Sequence, residues 1–438
     1  MSIRTLKPSS CVWVGDIPSD WTVEKIKYLI ESGENGMKIG PYGSALKGKT
    51  IDNGPVKIYN QANLIADDFD ISRHYISDET YKELQNYTIL PGDILFSMMG
   101  TIGKCKVMPD GKQLGIMDSH LLKARLNGKI LSEFFLYAFD KDNNEKTLEQ
   151  LIYMSQGSIM NGLNSSVVKN AQIAVPPLKE QRAIITYLDS KCAAIDEAIE
   201  RHKKVIEKLE EYRCIQITHM ATKGISHESL RKTSSEWYSQ IPESWKIMRF
   251  KFIGSVKSNL VDPEPYATYH QVGPDLIEKD SGQLIGERTV EEAGVISGNH
   301  LFFKGQILYS KVRPALNKVV TAPYDGLCSA DMYPIETVID PNYAKYLMLS
   351  KPFVEQARII AMIRVKMPKI NQDELADIVC AVPPDYQQKQ ISSAITAMCN
   401  HVQESISKHN DIIEKLEEYR KSIIYQAVTG KIDCREKA

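Results

Sequence analysis

Two stretches of the chain carry apolar residues at the spacing of a single helix face. From Glu180 to about Met220 there is neither proline nor glycine, and apolar positions recur in heptads. Ile185, Cys192, Ile199 and Ile206 fall at the a positions, with Leu188, Ile195, His202 and Leu209 at d. The second stretch places Ser392, Cys399, Ile406 and Ile413 at a, and Ile395, Val402, His409 and Leu416 at d. Pro176-Pro177 and Pro383-Pro384 stand just before them, where a first helical turn tolerates proline, and Gly224 stands where the first would stop. Four heptads with charged flanks predict a coiled-coil seam. Neither helix can bury its stripe alone, so each is the other's partner. About 40 residues at about 1.5 Å each make a rod about 60 Å long.

The remaining blocks, 1–175 and 226–381, follow another pattern. Glycine and proline interrupt them every few residues, between short β-like runs such as Val56–Tyr59, Asp93–Phe96 and Gln306–Tyr309. Leu131–Asp140 and Asn342–Ser350 read as helical patches. No βαβ alternation appears, so each block is expected to be a compact α+β domain.

An internal repeat organises these parts. Ile206-Glu-Lys-Leu-Glu-Glu-Tyr-Arg213 recurs unchanged at 413–420, and the same offset carries Val175-Pro-Pro177 onto Val382-Pro-Pro384. Ile17-Pro18 with Trp21 is echoed by Ile241-Pro242 with Trp245, and Gly92-Asp-Ile-Leu-Phe-Ser97 by Gly305-Gln-Ile-Leu-Tyr-Ser310. The expected architecture is therefore α+β, with two similar mixed α/β domains separated by two long antiparallel coiled-coil helices in a pseudo-two-fold repeat. The segments run 1–175, 176–225, 226–381 and 382–438.

Composition narrows the function. With 54 Lys+Arg against 55 Asp+Glu, the net charge of −1 gives no general attraction to polyanions, so any such binding must be local. No apolar run is long enough for a membrane span and the start lacks a signal-peptide core, which predicts a cytoplasmic protein without a membrane partner. The 8 cysteines form no C-x-x-C pair and read as reduced structural thiols.

Catalytic patterns are weak. Gly43-Ser-Ala-Leu-Lys-Gly-Lys-Thr50 matches the phosphate-cradling G-x-x-x-x-G-K-[ST] string, yet no buried strand precedes it and Gly54-Pro55 would break a following helix. Val382-Pro-Pro-Asp-Tyr386 has Val where an amino-methyltransferase needs Asn or Asp. The 9 histidines are scattered without metal-ligand spacing, and His202 and His409 are expected to pack in the seam. Asp189-Ser-Lys191 lies on a long helix, without a cleft. No metal site, resident cofactor or catalytic group is expected.

Basic and amide-rich runs in the two blocks remain. In the second block Tyr309, Lys311, Arg313, Asn317 and Lys318 follow a short strand, and Arg364, Lys366 and Lys369 form a second run. Thr101, Lys104 and Lys106, with Gln156, Ser158, Asn161 and Asn164, are their counterparts in the first block. Arg and Lys suit phosphates and guanine edges, and Asn and Gln suit adenine edges, which makes these runs the candidate DNA-binding residues.

Over essentially its whole length the chain resembles the DNA-specificity subunits of type I restriction–modification systems. The carriers are Pro176–Arg182 and Pro383–Lys389, both P-P-x(2)-[EQ]-Q-[RK], together with the paired octets. The Gly-x-Ile-Leu-[Phe/Tyr]-Ser strands, the Ile-Pro-x-x-Trp openings and Ala427-Val-Thr-Gly-Lys-Ile-Asp433 add to them. The resemblance implies two target-recognition domains, each reading half of a bipartite double-stranded DNA target. It also implies helices that set the spacing and dock two methyltransferase subunits, with two motor–nuclease restriction subunits completing the enzyme. S-adenosylmethionine, ATP and magnesium would then sit on those partners, and this chain would be non-catalytic. The competing expectation is a coiled-coil assembly adaptor without DNA sequence preference.

Overall fold

A computed structural model describes residues 5–33, 36–72, 74–99, 103–140, 142–155, 163–364 and 366–435. The chain divides into two units, one of residues 1–201 with 412–438 and the other of residues 202–411. The long helices Leu178–Lys223 and Asp385–Val428 each contribute one segment to each unit. No described helix is long and apolar enough to cross a membrane.

Both units are built to one plan. In the first, an all-antiparallel sheet has the order Met37–Ile39, Leu121–Ala124, Ile94–Ser97, Cys105–Val107. Its equivalent in the second is Gly254–Val256, Met332–Thr337, Ile307–Ser310, Val319–Thr321. Every residue of Ile94–Ser97 and of Ile307–Ser310 is buried, so these strands run through the interior with both faces covered. A second, mixed sheet shares a three-strand kernel. Val56–Tyr59 runs parallel to Gly115–Met117, which pairs antiparallel with Thr88–Ile89. His270–Val272, Gly326–Cys328 and Asn299–Phe302 repeat that arrangement. The edges differ, since Tyr75–Ile76 extends one kernel beside its parallel strand and Leu260–Val261 extends the other on the opposite side. Within this sheet the two units thus differ in their edge strands.

The repeated motifs explain how each α/β body grips its helices. Trp21 is fully buried, and its indole Nε1 donates to Glu180 Oε2 at 3.0 Å; Trp245 Nε1 donates to Gln387 Oε1 at 2.9 Å. The glutamine that follows ties down a backbone. Gln181 accepts from Leu131 N and donates to the carbonyls of Lys129 and Pro176. Gln388 accepts from Asp340 N and donates to Pro383 O. The [EQ]-Q pair after each double proline is therefore a tryptophan acceptor followed by a backbone splint. Gly224 and Gly430 end the helices at φ of +75° and +73°, where a side chain would be strained. A Cβ on Gly430 would also stand 2.3 Å from Pro18 and 3.1 Å from the Trp21 ring.

The helix segments pair antiparallel within each unit. In the first, Ile184, Leu188 and Cys192 share a core with Ile423, Ile424 and Val428, and with Trp21, Phe96, Phe135 and Phe139. In the second, Ile217 and Ala221 share one with Ile391, Ile395 and Cys399, and with Trp245, Tyr309, Tyr343 and Phe353. Along the seam Leu188, Cys192, Ile195, Ile199, Ile395, Cys399, Val402 and Ile406 are buried, whereas Ile185, Ile206, Leu209, Ile413 and Leu416 are half-buried. His202 and His409, also half-buried, meet with their Nδ1 atoms 2.7 Å apart. Their separation of 207 residues equals the repeat offset, so this pair marks where equivalent positions of the two helices face one another. One ring nitrogen must donate and the other accept. All eight cysteines are free thiols, seven of them buried.

Candidate nucleic-acid interface

In the second unit the chain leaves the interior strand Ile307–Ser310 and turns sharply. Arg313 and Asn317 both adopt left-handed backbone conformations, at φ of +49° and +48°, on either side of the short turn Pro314–Leu316. Asparagine tolerates that region, but arginine does so at a cost, and local bonding holds it there. Arg313 N donates to Pro368 O at 2.7 Å, Ile370 N donates to Lys311 O at 3.0 Å, and Val312 bridges Lys369. These bonds join the two basic runs of this block into one composite surface.

Within that surface the candidates divide by role. Lys311, whose ammonium lies 5.1 Å from the centre of the Tyr333 ring, is half-buried; Arg313, Lys366 and Lys369 are exposed. None of the four carries an ion pair among the described residues, and the charges of Arg313, Lys366 and Lys369 face solvent or a ligand. Tyr309, Asn317, Lys318 and Arg364 are support instead. Tyr309 is 2% exposed and packs edge-on against Phe353, with burial pushing its phenol well above the usual range. It is removed from the set of base contacts because both faces of its strand are covered. Asn317 is likewise interior, its Nδ2 donating to Asp280 Oδ1 at 2.8 Å and to Leu349 O at 3.2 Å. Lys318 Nζ donates to Pro274 O. Arg364 forms a two-pronged pair with Glu374 (2.8 and 3.1 Å) and donates to Lys369 O. That guanidinium holds the Glu374 carboxyl below its usual range.

The first unit has the same framework with different charges. Leu163 N donates to Met98 O at 2.8 Å, matching the bond from Ile370 to Lys311. Asn164 caps the helix Ser165–Asn170 through Val167 N, as Asn371 caps Gln372–Ala376 through Glu374 N. The amide oxygen of Asn164 is thereby committed to structure. Lys104 pairs with Asp142 and Lys106 with Asp67, each at 2.6 Å. Burial lowers the Lys104 pKa, but Asp142, Asp140 and Asp67 outweigh it, so its ammonium is held above the usual range. Thr101, Gln156, Ser158 and Asn161 lie outside the described residues.

Sequence reasoning missed several members of this surface. Met362, Ile363 and Met367 are exposed beside the cations, with Ile363 at 80%. Asn371 and Glu374 brace the loop through a reciprocal capping box, which was legible as Asn-x-x-Glu. Local structure accounts for the glycine-lysine loop and for Asp189 among the described residues. A short helix, Gly43–Leu46, occupies the start of the glycine-lysine loop, Lys49 pairs with Glu83, and the next regular element after Thr50 is the strand Val56–Tyr59. Asp189 accepts from the Tyr137 hydroxyl at 2.7 Å.

The comparisons with known proteins agree with this geometry. Residues 18–211 match the family model described as the type I restriction modification DNA specificity domain. The chain is 29% identical over 320 residues to the type I restriction enzyme EcoDI specificity subunit of Escherichia coli, covering 69% of this chain and 71% of that one. It is 24% identical over 439 residues to the putative type I restriction enzyme MjaX specificity subunit of Methanocaldococcus jannaschii, covering 96% and 95%. In fold it resembles a chain solved in a structural study of complex assembly and conformational transition of the type I R-M system. That match has a TM-score of 0.66 and 11% identity, over 95% of this chain and 99% of that one. Taken with the duplicated α/β bodies, the paired helices and the matched loop surfaces, these findings make the chain similar, in sequence and in fold, to the DNA-specificity subunits of type I restriction–modification systems.

Proposed function

We propose that this chain supplies the DNA sequence specificity of a type I restriction–modification enzyme, with each α/β body reading one half of a bipartite target. The observation that carries the half-site reading is the duplication itself. Two bodies with one framework present loop surfaces at equivalent places, built from different residues, as two readers of two unlike sequences require. The retained helix motifs fit a common attachment for identical partners, and we assign to the helices the spacing between half-sites and the docking of two methyltransferase subunits. Two motor–nuclease subunits complete the assembly, which acts in the cytoplasm. The chain is non-catalytic, and S-adenosylmethionine, ATP and magnesium are assigned to the partners. An assembly adaptor indifferent to sequence is not favoured by the similarity to specificity subunits.

Near-neutral net charge constrains the binding mode. Few phosphates can be neutralised by this chain alone, so non-specific affinity is expected to be weak and the partners to supply much of the backbone contact. Methylation mapping in cells carrying the complete system tests the reading. It is expected to return two short defined sequences separated by an unspecified stretch of fixed length. A single contiguous motif, or methylation without sequence preference, would overturn it.

A further inference from the structure

The repeated octet ends in an arginine, and that arginine occupies the same kind of position in both units. In the first, Arg420 Nη1 donates to Asn143 Oδ1 on the α/β body at 3.2 Å, and its Nε lies 3.4 Å from Asp196 Oδ1 on the other helix. In the second, Arg213 Nη1 donates to Gln403 Oε1 on the other helix at 3.1 Å, and the same nitrogen lies 3.8 Å from Glu278 Oε2 on the body. Asp196 and Gln403 are themselves equivalent (403 − 196 = 207, the repeat offset). Each guanidinium therefore joins its own helix, the opposite helix and the α/β body of its unit. One carboxylate and one amide serve each arginine, with the carboxylate on the helix in one unit and on the body in the other.

From this geometry we infer that Arg213 and Arg420 are positioning residues, latches that fix the angle at which each reading body sits on its helix pair and so enforce a single half-site spacing. The inference rests on the half-site reading proposed above. Arg213 is 2% exposed, so its charge is held out of water and depends on these partners. A planar guanidinium constrains direction as well as distance, which a lysine or an apolar contact does not. The scale suits the role, because one base pair changes half-site separation by about 3.4 Å and rotates it by about 34°. A body freed to rock by a few ångströms at its reading loops would accept the neighbouring spacings.

The test uses the full chain in the assembled enzyme, with methylation measured on duplexes whose half-sites are set at the mapped spacing and at one base pair more or fewer. Arg213→Met and Arg420→Met keep most of the stem packing and remove the latch. Loss of charged hydrogen bonds predicts that methylation at the off-register spacings, relative to the mapped one, rises by about tenfold. Base preference within each half-site is expected to stay unchanged, a split that simple destabilisation would not produce. Variants that assemble and keep the wild-type spacing selectivity would overturn the inference. If either fails to accumulate as folded protein, Gln403→Ala and Asn143→Ala carry the test, and unchanged selectivity in both would overturn it equally. A wild-type enzyme with no bipartite target would instead remove the half-site reading beneath it.

Discussion

The two loop surfaces share a framework and differ in how their charges are spent. In the first unit Lys104, Lys106 and Lys112 each meet a carboxylate, Asp142, Asp67 and Asp70, at 2.6, 2.6 and 2.7 Å. In the second, Arg313, Lys366 and Lys369 stand exposed without an ion pair among the described residues. An exposed pair contributes little to stability, so the first unit's lysines are neither strongly stabilising nor readily available to phosphate. The comparison teaches that equal scaffolds do not imply equal recognition chemistry. Arg313, Lys366 and Lys369 of the second body are unpaired by carboxylates among the described residues, while Lys104, Lys106 and Lys112 of the first are already committed.

The largest expected effect tests what the units share. Trp21→Ala and Trp245→Ala each remove a buried ring, so each should cost about 3–5 kcal/mol of stability, read as denaturant midpoints. A large cost for one and little for the other would break the equivalence of the two grips. The next effect separates the units. Arg313→Ala should weaken binding of the assembled methyltransferase to its target by about 1–3 kcal/mol, whereas Lys104→Ala should change it by less than about 0.5 kcal/mol. Equal losses in a competition assay would contradict the division of charge. More finely, Lys366→Ala should lower the slope of log affinity against log salt by about 1, and Lys106→Ala should leave that slope unchanged.

The smallest prediction concerns acid. His300 is buried, and burial, assisted by the Lys311 charge, lowers its pKa below 6.5. Since the folded state disfavours the proton, stability from this site is complete above pH 6.5 and declines as pH falls through the folded value. His300→Phe should flatten the stability profile just below pH 6.5. A wild-type profile equally flat in that window would show that His300 contributes no such acid sensitivity.

Much of this architecture was legible because it is written in short-range periodicity and in duplication. Heptads located the seam, double prolines and Gly224 bounded the first helix, and the shared offset revealed two units of one design. What escaped depends on contacts remote in sequence. Tyr309 looked like an aromatic within a basic run, but all four residues of its strand are buried, and a strand covered on both faces shows no alternation to announce it. Arg364 looked free until Glu374, ten residues on, folded back against it. Asn317 reads as an adenine-binding amide, yet its left-handed turn points Nδ2 inward to Asp280. The bridge from Val312 to Lys369 spans 57 residues (369 − 312), and no local pattern encodes it. The double proline with its [EQ]-Q was visible as a motif, although its work of receiving Trp21 and Trp245 became clear only in three dimensions.

The central claim is that the two surfaces read separate halves of one target. The most direct measurement maps the methylated motif of the complete system carrying Arg313→Ala, Lys366→Ala and Lys369→Ala together. The account predicts that one half of the motif loses definition while the other half and the spacing persist. Loss of definition in both halves together, or an unchanged motif from a fully assembled triple variant, would contradict it.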